Sequence, residues 1–391
     1  METVPPSARD EFGADLCAAH DTSRSAVVSK RADSRDNTWV IWEDFCLELA
    51  VDPLLQHVTD PIHYLMVFAV RYRDGRLAKN GDPVRARTVE DALRAVGQTM
   101  ARVGATDHRL TAPNKIEYRL SQLIKGYKNV DPEPTRVKPV PISFVHHICH
   151  VARQANVAFD LAVADLTTIG FYYLCRPGEY ALSSEENCST PFCLRDVLFS
   201  AGARQLSTFA SSFAELDAAS FVKLVFSDQK NAVRGESIGH GPTSHSYVGP
   251  IQALSRRVQH LRTYNAPPDT PLHAVFVNGS WTHVRSSHIT DALRLAAIAL
   301  FDQTGISPDE ISARSLRAGG AMALLCARVD TDIIRLVGRW RSDAMLRYLH
   351  TQAYPLMHSF AQAMSTYGSF SLLPGQYVPT TAIPLLNQVP L

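Results

Sequence analysis

The spacing of hydrophobic and polar positions changes character partway along the chain. Between Trp39 and Leu49 the apolar residues Trp39, Trp42, Phe45 and Leu49 recur at intervals of three and four. This predicts a helix with one buried face, closed by Asp52-Pro53. Further helical periods cover about 61–74, 88–104 and 114–127. Thr88 serves as N-cap of the second of these, with Glu90 and Asp91 on the positive end of the helix dipole. Residues 129–141 then carry four prolines and no apolar period, the composition of a linker. Beyond it, helical periods at about 142–157 and 161–175 give way over 192–240 to strands. Phe221–Phe226 is short, β-branched and aromatic, and Ser227–Asn231 after it is turn chemistry. Helical periods return at about 248–264, 287–304, 316–328, 330–337 and 343–350. The pattern predicts a mainly α fold with a small antiparallel β-sheet. A helical domain spans 36–128, a linker 129–141 and a mixed α+β domain 142–372. Residues 1–35, without period, read as a disordered lead-in, and 373–391 as a loose tail.

Composition changes this picture only in part. At 391 residues and 46% hydrophobic content the chain is long enough for two cores. Thirty-nine Lys and Arg stand against 38 Asp and Glu, so the net charge of +1 does not advertise a polyanion, and only the distribution of charge is informative. Glu43, Asp44, Glu48, Asp52 and Asp60 make the first helical stretch acidic, whereas bases dominate from 71 to 128. Arg71, Arg73, Arg85, Arg87, Lys115, Arg119 and Lys125 are therefore candidate phosphate contacts. A solvated face of interspersed charges gives the same count. Seven scattered cysteines, several of them in apolar runs, indicate a reducing, intracellular compartment. Cys188 and Cys193 are spaced too widely for a zinc knuckle and have no second pair, so no metal is expected. The N-terminus has no apolar signal core, and no run reaches the ~18 apolar residues of a membrane span. A soluble protein without a membrane partner follows.

Four separated features carry candidate chemistry. In Leu174-Cys175-Arg176-Pro177-Gly178-Glu179 an apolar helix ends at an arginine, with Glu179 three residues on to orient its guanidinium. Lys230 sits at the apex of a hairpin continuing through Val233 to His240. Ile311-Ser312-Ala313-Arg314-Ser315-Leu316-Arg317-Ala318-Gly319-Gly320 places two arginines three apart at a helix start, where an anion would relieve their repulsion and glycines permit close backbone approach. Finally, Gly338-Arg339-Trp340-Arg341-Ser342-Asp343 leads into a short helix bearing Tyr348. Taken singly, a helix-end salt bridge, a solvated lysine, an adventitious pair and a surface aromatic stacked on arginine account for them.

In order, they resemble the tyrosine recombinase, or phage integrase-like, family, and in character the eukaryotic mobile-element branch. That family has an arginine with a glutamate three residues on, a hairpin lysine, a His-x-x-Arg box, a Gly-His or Gly-Trp box, and a tyrosine roughly nine residues further. Arg176 with Glu179, Lys230, Arg317, Trp340 and Tyr348 match these roles over a resemblance covering about 36–370. It implies a helical core-binding (SAM-like) domain followed by an α+β catalytic domain. The implied function is site-specific recombination or integration of double-stranded DNA through a 3′-phosphotyrosine intermediate, with no cofactor and no metal. A homodimer or homotetramer assembled on DNA is implied, located in the nucleus if the host is eukaryotic. Two positions depart from the family. Arg314 replaces the histidine and cannot act as a base. Tyr348 lies eight residues after Trp340, which leaves Tyr354, beside Pro355, as a substitute nucleophile. Two rival readings remain: a catalytically decayed, transposon-derived DNA-binding protein of the same fold, and a helical interaction scaffold with no nucleic-acid role. The scaffold leaves the ordered boxes unexplained.

Overall fold

The computed structural model describes residues 5–25, 29–77, 80–113, 115–132, 137–183, 190–227 and 235–340. The chain divides into two units, 1–135 and 136–391.

The first unit is built from helices α1 (Arg9–Ser25), α2 (Ser29–Glu48), α3 (Pro61–Arg73), α4 (Ala86–Arg102) and α5 (Tyr118–Val130), with a small hairpin, β1 (Leu110–Ala112) and β2 (Lys115–Ile116), before the last. Trp42 and Phe45 of α2 meet Phe68 of α3, and Trp42 lies edge-on to Phe68 at 5.1 Å. Val89, Leu93, Val96 and Met100 of α4 and Leu120 and Ile124 of α5 complete this core. Local chemistry fixes the helix starts. Asp60 accepts from the Ile62 N–H at 3.1 Å, ahead of Pro61. The N-terminus of α4 is capped from a distance, since Asp131 accepts from the Ala86 N–H at 2.9 Å. The helix therefore starts two residues before Thr88, which is not its cap. Glu117 accepts from the N–H groups of Arg119 and Leu120, so α5 begins at Tyr118, and the residues expected as its first turn form the hairpin. Residues 9–25 and 29–35 are helical rather than a disordered lead-in. Asp10 and Glu11 lie in the favourable first turn of α1, and its alanines, leucine and arginines are good helix formers. The stretch lacks only the apolar stripe that pattern reading depends on.

The second unit opens with α6 (Ile142–Ala155), α7 (Ala158–Tyr172) and the single turn α8 (Pro177–Tyr180). Strands β3 (Val197–Ala201), β4 (Arg204–Leu206), β5 (Phe221–Phe226) and β6 (Glu236–His240) form an antiparallel sheet in the order β4-β3-β5-β6, with the short α9 (Phe213–Asp217) before β5. After α10 (Pro250–Thr263) comes a hairpin that the pattern did not predict, β7 (Ala274–Val277) and β8 (Ser280–His283). It is followed by α11 (Ser286–Ala299), α12 (Phe301–Thr304), α13 (Ser315–Cys326) and α14 (Thr331–Val337). The fold is mainly helical with small antiparallel sheets. Helix α7 is central, and all ten residues from Ala162 to Phe171 are buried. The one carboxylate among them, Asp165, receives the Arg256 guanidinium of α10 at 2.8 and 2.5 Å, and burial still pushes its pKa upward. Gly319 and Gly320 of α13 lie against the carbonyls of Val140 and Phe171, where a Cβ would collide with backbone. Next to the unpredicted hairpin, His273 is 3% exposed and places its Nδ1 3.2 Å from that of His283. Burial, then His283 and Arg257, lower its pKa to about 4. Among the described residues, no helix is long and apolar enough to cross a membrane.

Candidate functional site

Where α7 ends, Leu174 takes a left-handed conformation (φ 48°) that turns the chain sharply, and Pro177 then starts α8. Arg176 sits in the corner between the two helices, as N-cap of the short one rather than the last residue of the long one. Its backbone N–H donates to Glu179 Oε2 at 2.7 Å and its Nη1 to Glu179 Oε1 at 3.0 Å. Glu179 is buried, so its carboxylate depends on these donors, and the spacing of three residues serves to fix the guanidinium.

A second arginine reaches the same carboxylate from 160 residues away. Arg339 Nη2 donates to Glu179 Oε2 at 2.9 Å. Its other donors reach the carbonyls of Tyr173 (3.2 Å), Val337 (3.1 Å) and Leu174 (3.3 Å), and its guanidinium lies 3.8 Å from the centre of the Phe226 ring. The side chain is 2% exposed, and the backbone is left-handed at φ 58°.

Arg317, in the first turn of α13, is 4% exposed. Its Nη2 donates to the Gly338 carbonyl, and its guanidinium stacks 4.5 Å above the Trp340 indole. Gly338 is required here by space, since a Cβ on it would fall inside the Trp340 ring. Trp340 also packs beside Leu174, Ala321 and Ile334. Cys175 is wholly buried in the same region. Burial and Glu179 push its thiol far up, while Arg339 and Arg317 act in the opposite sense.

Arg176, Glu179, Arg317 and Trp340 are thus brought into one cluster through Arg339 and Gly338. Three guanidinium groups against one carboxylate leave it net cationic in a poorly solvated setting, and Arg176 keeps about a quarter of its side chain exposed. Such an arrangement can grip an oxyanion with bidentate, charge-assisted hydrogen bonds. Arg314, the N-cap of α13, is exposed, whereas Arg317 is buried. The two arginines expected to share one helical face therefore differ in setting, Arg314 in solvent and Arg317 packed on Trp340 and the Gly338 carbonyl. Lys230, Tyr348 and Tyr354 lie outside the described residues, as does the helix expected at 343–350. Arg339 was missed in the sequence, although a countable signal exists: it stands nine residues before Tyr348, the interval that Trp340 lacks.

The candidate phosphate contacts of the first unit divide into two groups. Arg71 pairs with Glu48 at 2.8 Å, Arg73 with Asp131 at 2.5 Å, Arg87 with Asp91 at 3.7 Å, and Arg119 with both Asp60 and Glu117. Arg85, Lys115 and Lys125 are exposed, and no ion pair to them occurs among the described residues. The basic excess read from the sequence is thus largely answered within the unit. Among the described residues, no three His, Cys, Asp or Glu side chains are grouped as a metal ion requires. Cys193 is a buried free thiol, and Cys188 lies outside the described residues.

No family model matches the chain, and no curated protein matches it. Similar solved structures exist. The Tn1549 transposon integrase in complex with circular intermediate DNA is 12% identical over 78% of this chain and 84% of that chain, with a TM-score of 0.42. XerA recombinase is 13% identical over 84% and 91%, with a TM-score of 0.34. The XerH site-specific recombinase bound to its difH substrate in a pre-cleavage complex is 9% identical over 80% and 98%, with a TM-score of 0.38.

Proposed function

We propose that this chain is a site-specific DNA recombinase or integrase that cleaves and rejoins strands through a 3′-phosphotyrosine intermediate. The observation that carries this reading is the meeting of Arg176, Glu179, Arg317 and Trp340 in one buried cationic cluster. These four come from three distant segments that the resemblance joins, and a scaffold has no use for their convergence.

In this mechanism Arg176 and Arg317 hold the non-bridging oxygens of the scissile phosphate and strengthen their hydrogen bonds as charge builds in the transition state. The Tyr348 hydroxyl gives its proton to water as its oxygen attacks phosphorus, forming the P–O(Tyr) bond while the bond to the 5′ oxygen breaks. Lys230 gives that leaving oxygen its proton. Trp340, stacked on Arg317, holds its guanidinium plane in place and borders the phosphate. A free 5′-hydroxyl then reverses the step on a new partner strand. The second unit acts as the catalytic domain and the first as the core-binding domain. Arg85, Lys115 and Lys125 contact phosphates directly, and two or four copies assemble on double-stranded DNA.

The test is incubation with a nicked suicide DNA substrate, whose cleavage traps the covalent adduct. An adduct lost in Tyr348→Phe and kept in Tyr354→Phe supports the proposal, and the reverse moves the nucleophile to Tyr354. DNA bound without any adduct on every substrate favours the decayed, binding-only protein, for which exposed Arg314 at the histidine position is the specific support.

A further inference from the structure

Arg339 has no part in the mechanism above, yet more of the site depends on it than on any of the residues chosen from the sequence. It contacts three separate segments at once. Through the Tyr173 and Leu174 carbonyls it holds the sharp turn that delivers Arg176. Through Glu179 Oε2 it shares the carboxylate that orients the Arg176 guanidinium. Its guanidinium covers Phe226, the last residue of β5, from which the chain runs toward Lys230. Its own backbone lies between Gly338, whose carbonyl takes the Arg317 guanidinium, and Trp340, on which Arg317 stacks.

We infer that Arg339 is a positioning residue that sets the phosphate clamp, tying Arg176, Arg317 and the start of the segment bearing the nucleophile into one geometry. The inference rests on the recombinase reading. Being only 2% exposed and spent on protein acceptors, Arg339 acts through its neighbours rather than on the phosphate. The planar fork is essential to this role. Its two nitrogens serve two backbone carbonyls, a third carbonyl of its own segment and a carboxylate while the flat face rests on Phe226. A lysine keeps the charge but cannot occupy those directions or that face. Buried geometry of this kind matters to rate more than to affinity, because a misplacement of about 1 Å at the reacting groups can cost ~10²-fold.

The experiment uses the full chain and two readouts. The first requires no catalysis: the Arg176 guanidinium Nε–H resonance of DNA-free protein, assigned by its loss in Arg176→Lys. The second is DNA affinity beside single-turnover cleavage of the suicide substrate. Arg339→Lys is expected to move the Arg176 resonance, to leave DNA affinity within about twofold, and to slow cleavage about 10²-fold. Phe226→Leu removes the surface beneath Arg339 without touching Arg176. It should move the same resonance to a lesser degree, and it decides the matter should Arg339→Lys not fold. An unmoved Arg176 resonance in the folded variants, or wild-type cleavage by Arg339→Lys, overturns the inference. If the natural chain itself forms no adduct, the recombinase reading fails, while the resonance still reports whether Arg339 positions Arg176.

Discussion

Replacing Gly338 by alanine sets a backbone rule against the packing of the site. Gly338 has φ −77° and ψ −8°, ordinary values for alanine, and at such positions Gly→Ala commonly stabilises by ~0.4–1 kcal/mol through the unfolded chain. Here the added methyl would occupy the Trp340 ring, so the indole must leave. Its departure removes the stack on desolvated Arg317, of order 2 kcal/mol, and part of the packing against Leu174, Ala321 and Ile334, roughly another 1–2 kcal/mol for a half-buried indole. Set against the unfolded-state gain, Gly338→Ala should destabilise by about 2–3.5 kcal/mol. Urea unfolding of the full chain measures this, with Trp340→Ala and the double variant alongside. Once Trp340 is absent the collision is gone, and Gly338→Ala should then stabilise by ~0.5 kcal/mol. The decisive feature is the change of sign between backgrounds. A penalty that persists with Trp340→Ala, or none in the natural background, refutes the packing account.

Arg314→His should raise single-turnover cleavage, by no more than the 10²- to 10⁴-fold that general acid–base catalysis typically supplies, without tightening the grip on uncut DNA; slower cleavage would make the arginine an adapted part of the site. His273, held to about 4 when folded against 6.5 ordinarily, binds its proton more readily in the unfolded chain, so its contribution is full above pH 6.5 and lost as pH falls toward 4. By this linkage about 2 kcal/mol should disappear between pH 7.5 and 5, and His273→Gln should flatten the urea-measured profile. Lys115→Gln with Lys125→Gln should weaken DNA binding and lower the salt slope by about one for each phosphate no longer neutralised, whereas Arg71→Gln, already matched by Glu48, should change the slope little. Equal effects at paired and unpaired positions would sink that distinction.

Elements whose apolar residues follow a period were legible. The helix at 61–73, the strand Phe221–Phe226 and the buried α7 stand close to where the spacing puts them. Elements held by polar contacts from afar were not. No local rule places the start of α4 at Ala86, because its cap is Asp131, 45 residues later. The β7–β8 hairpin has strands of only four residues and hides between helices, with Trp281 exposed on one of them. In the site, Arg176 with Glu179 was visible as a local spacing, while the role of Arg339 depends on carbonyls and a carboxylate that only the folded chain supplies. Arg314 and Arg317 looked equivalent in spacing, and only the folded chain shows the first in solvent and the second in the core.

The left-handed turn at Arg339 also bears on when the site comes into being. A non-glycine residue at φ 58° is disfavoured alone and is held here by partners 160 to 166 residues earlier in the chain. Contacts so distant in sequence carry a large closure entropy and tend to form after the local helices. During synthesis the corner of Arg176 and Glu179 therefore emerges long before its tie, and α7 with its neighbours must stand without it. On the proposed reading the clamp is the keystone placed last, so a chain in which Arg339 has yet to dock has its helices but no set clamp.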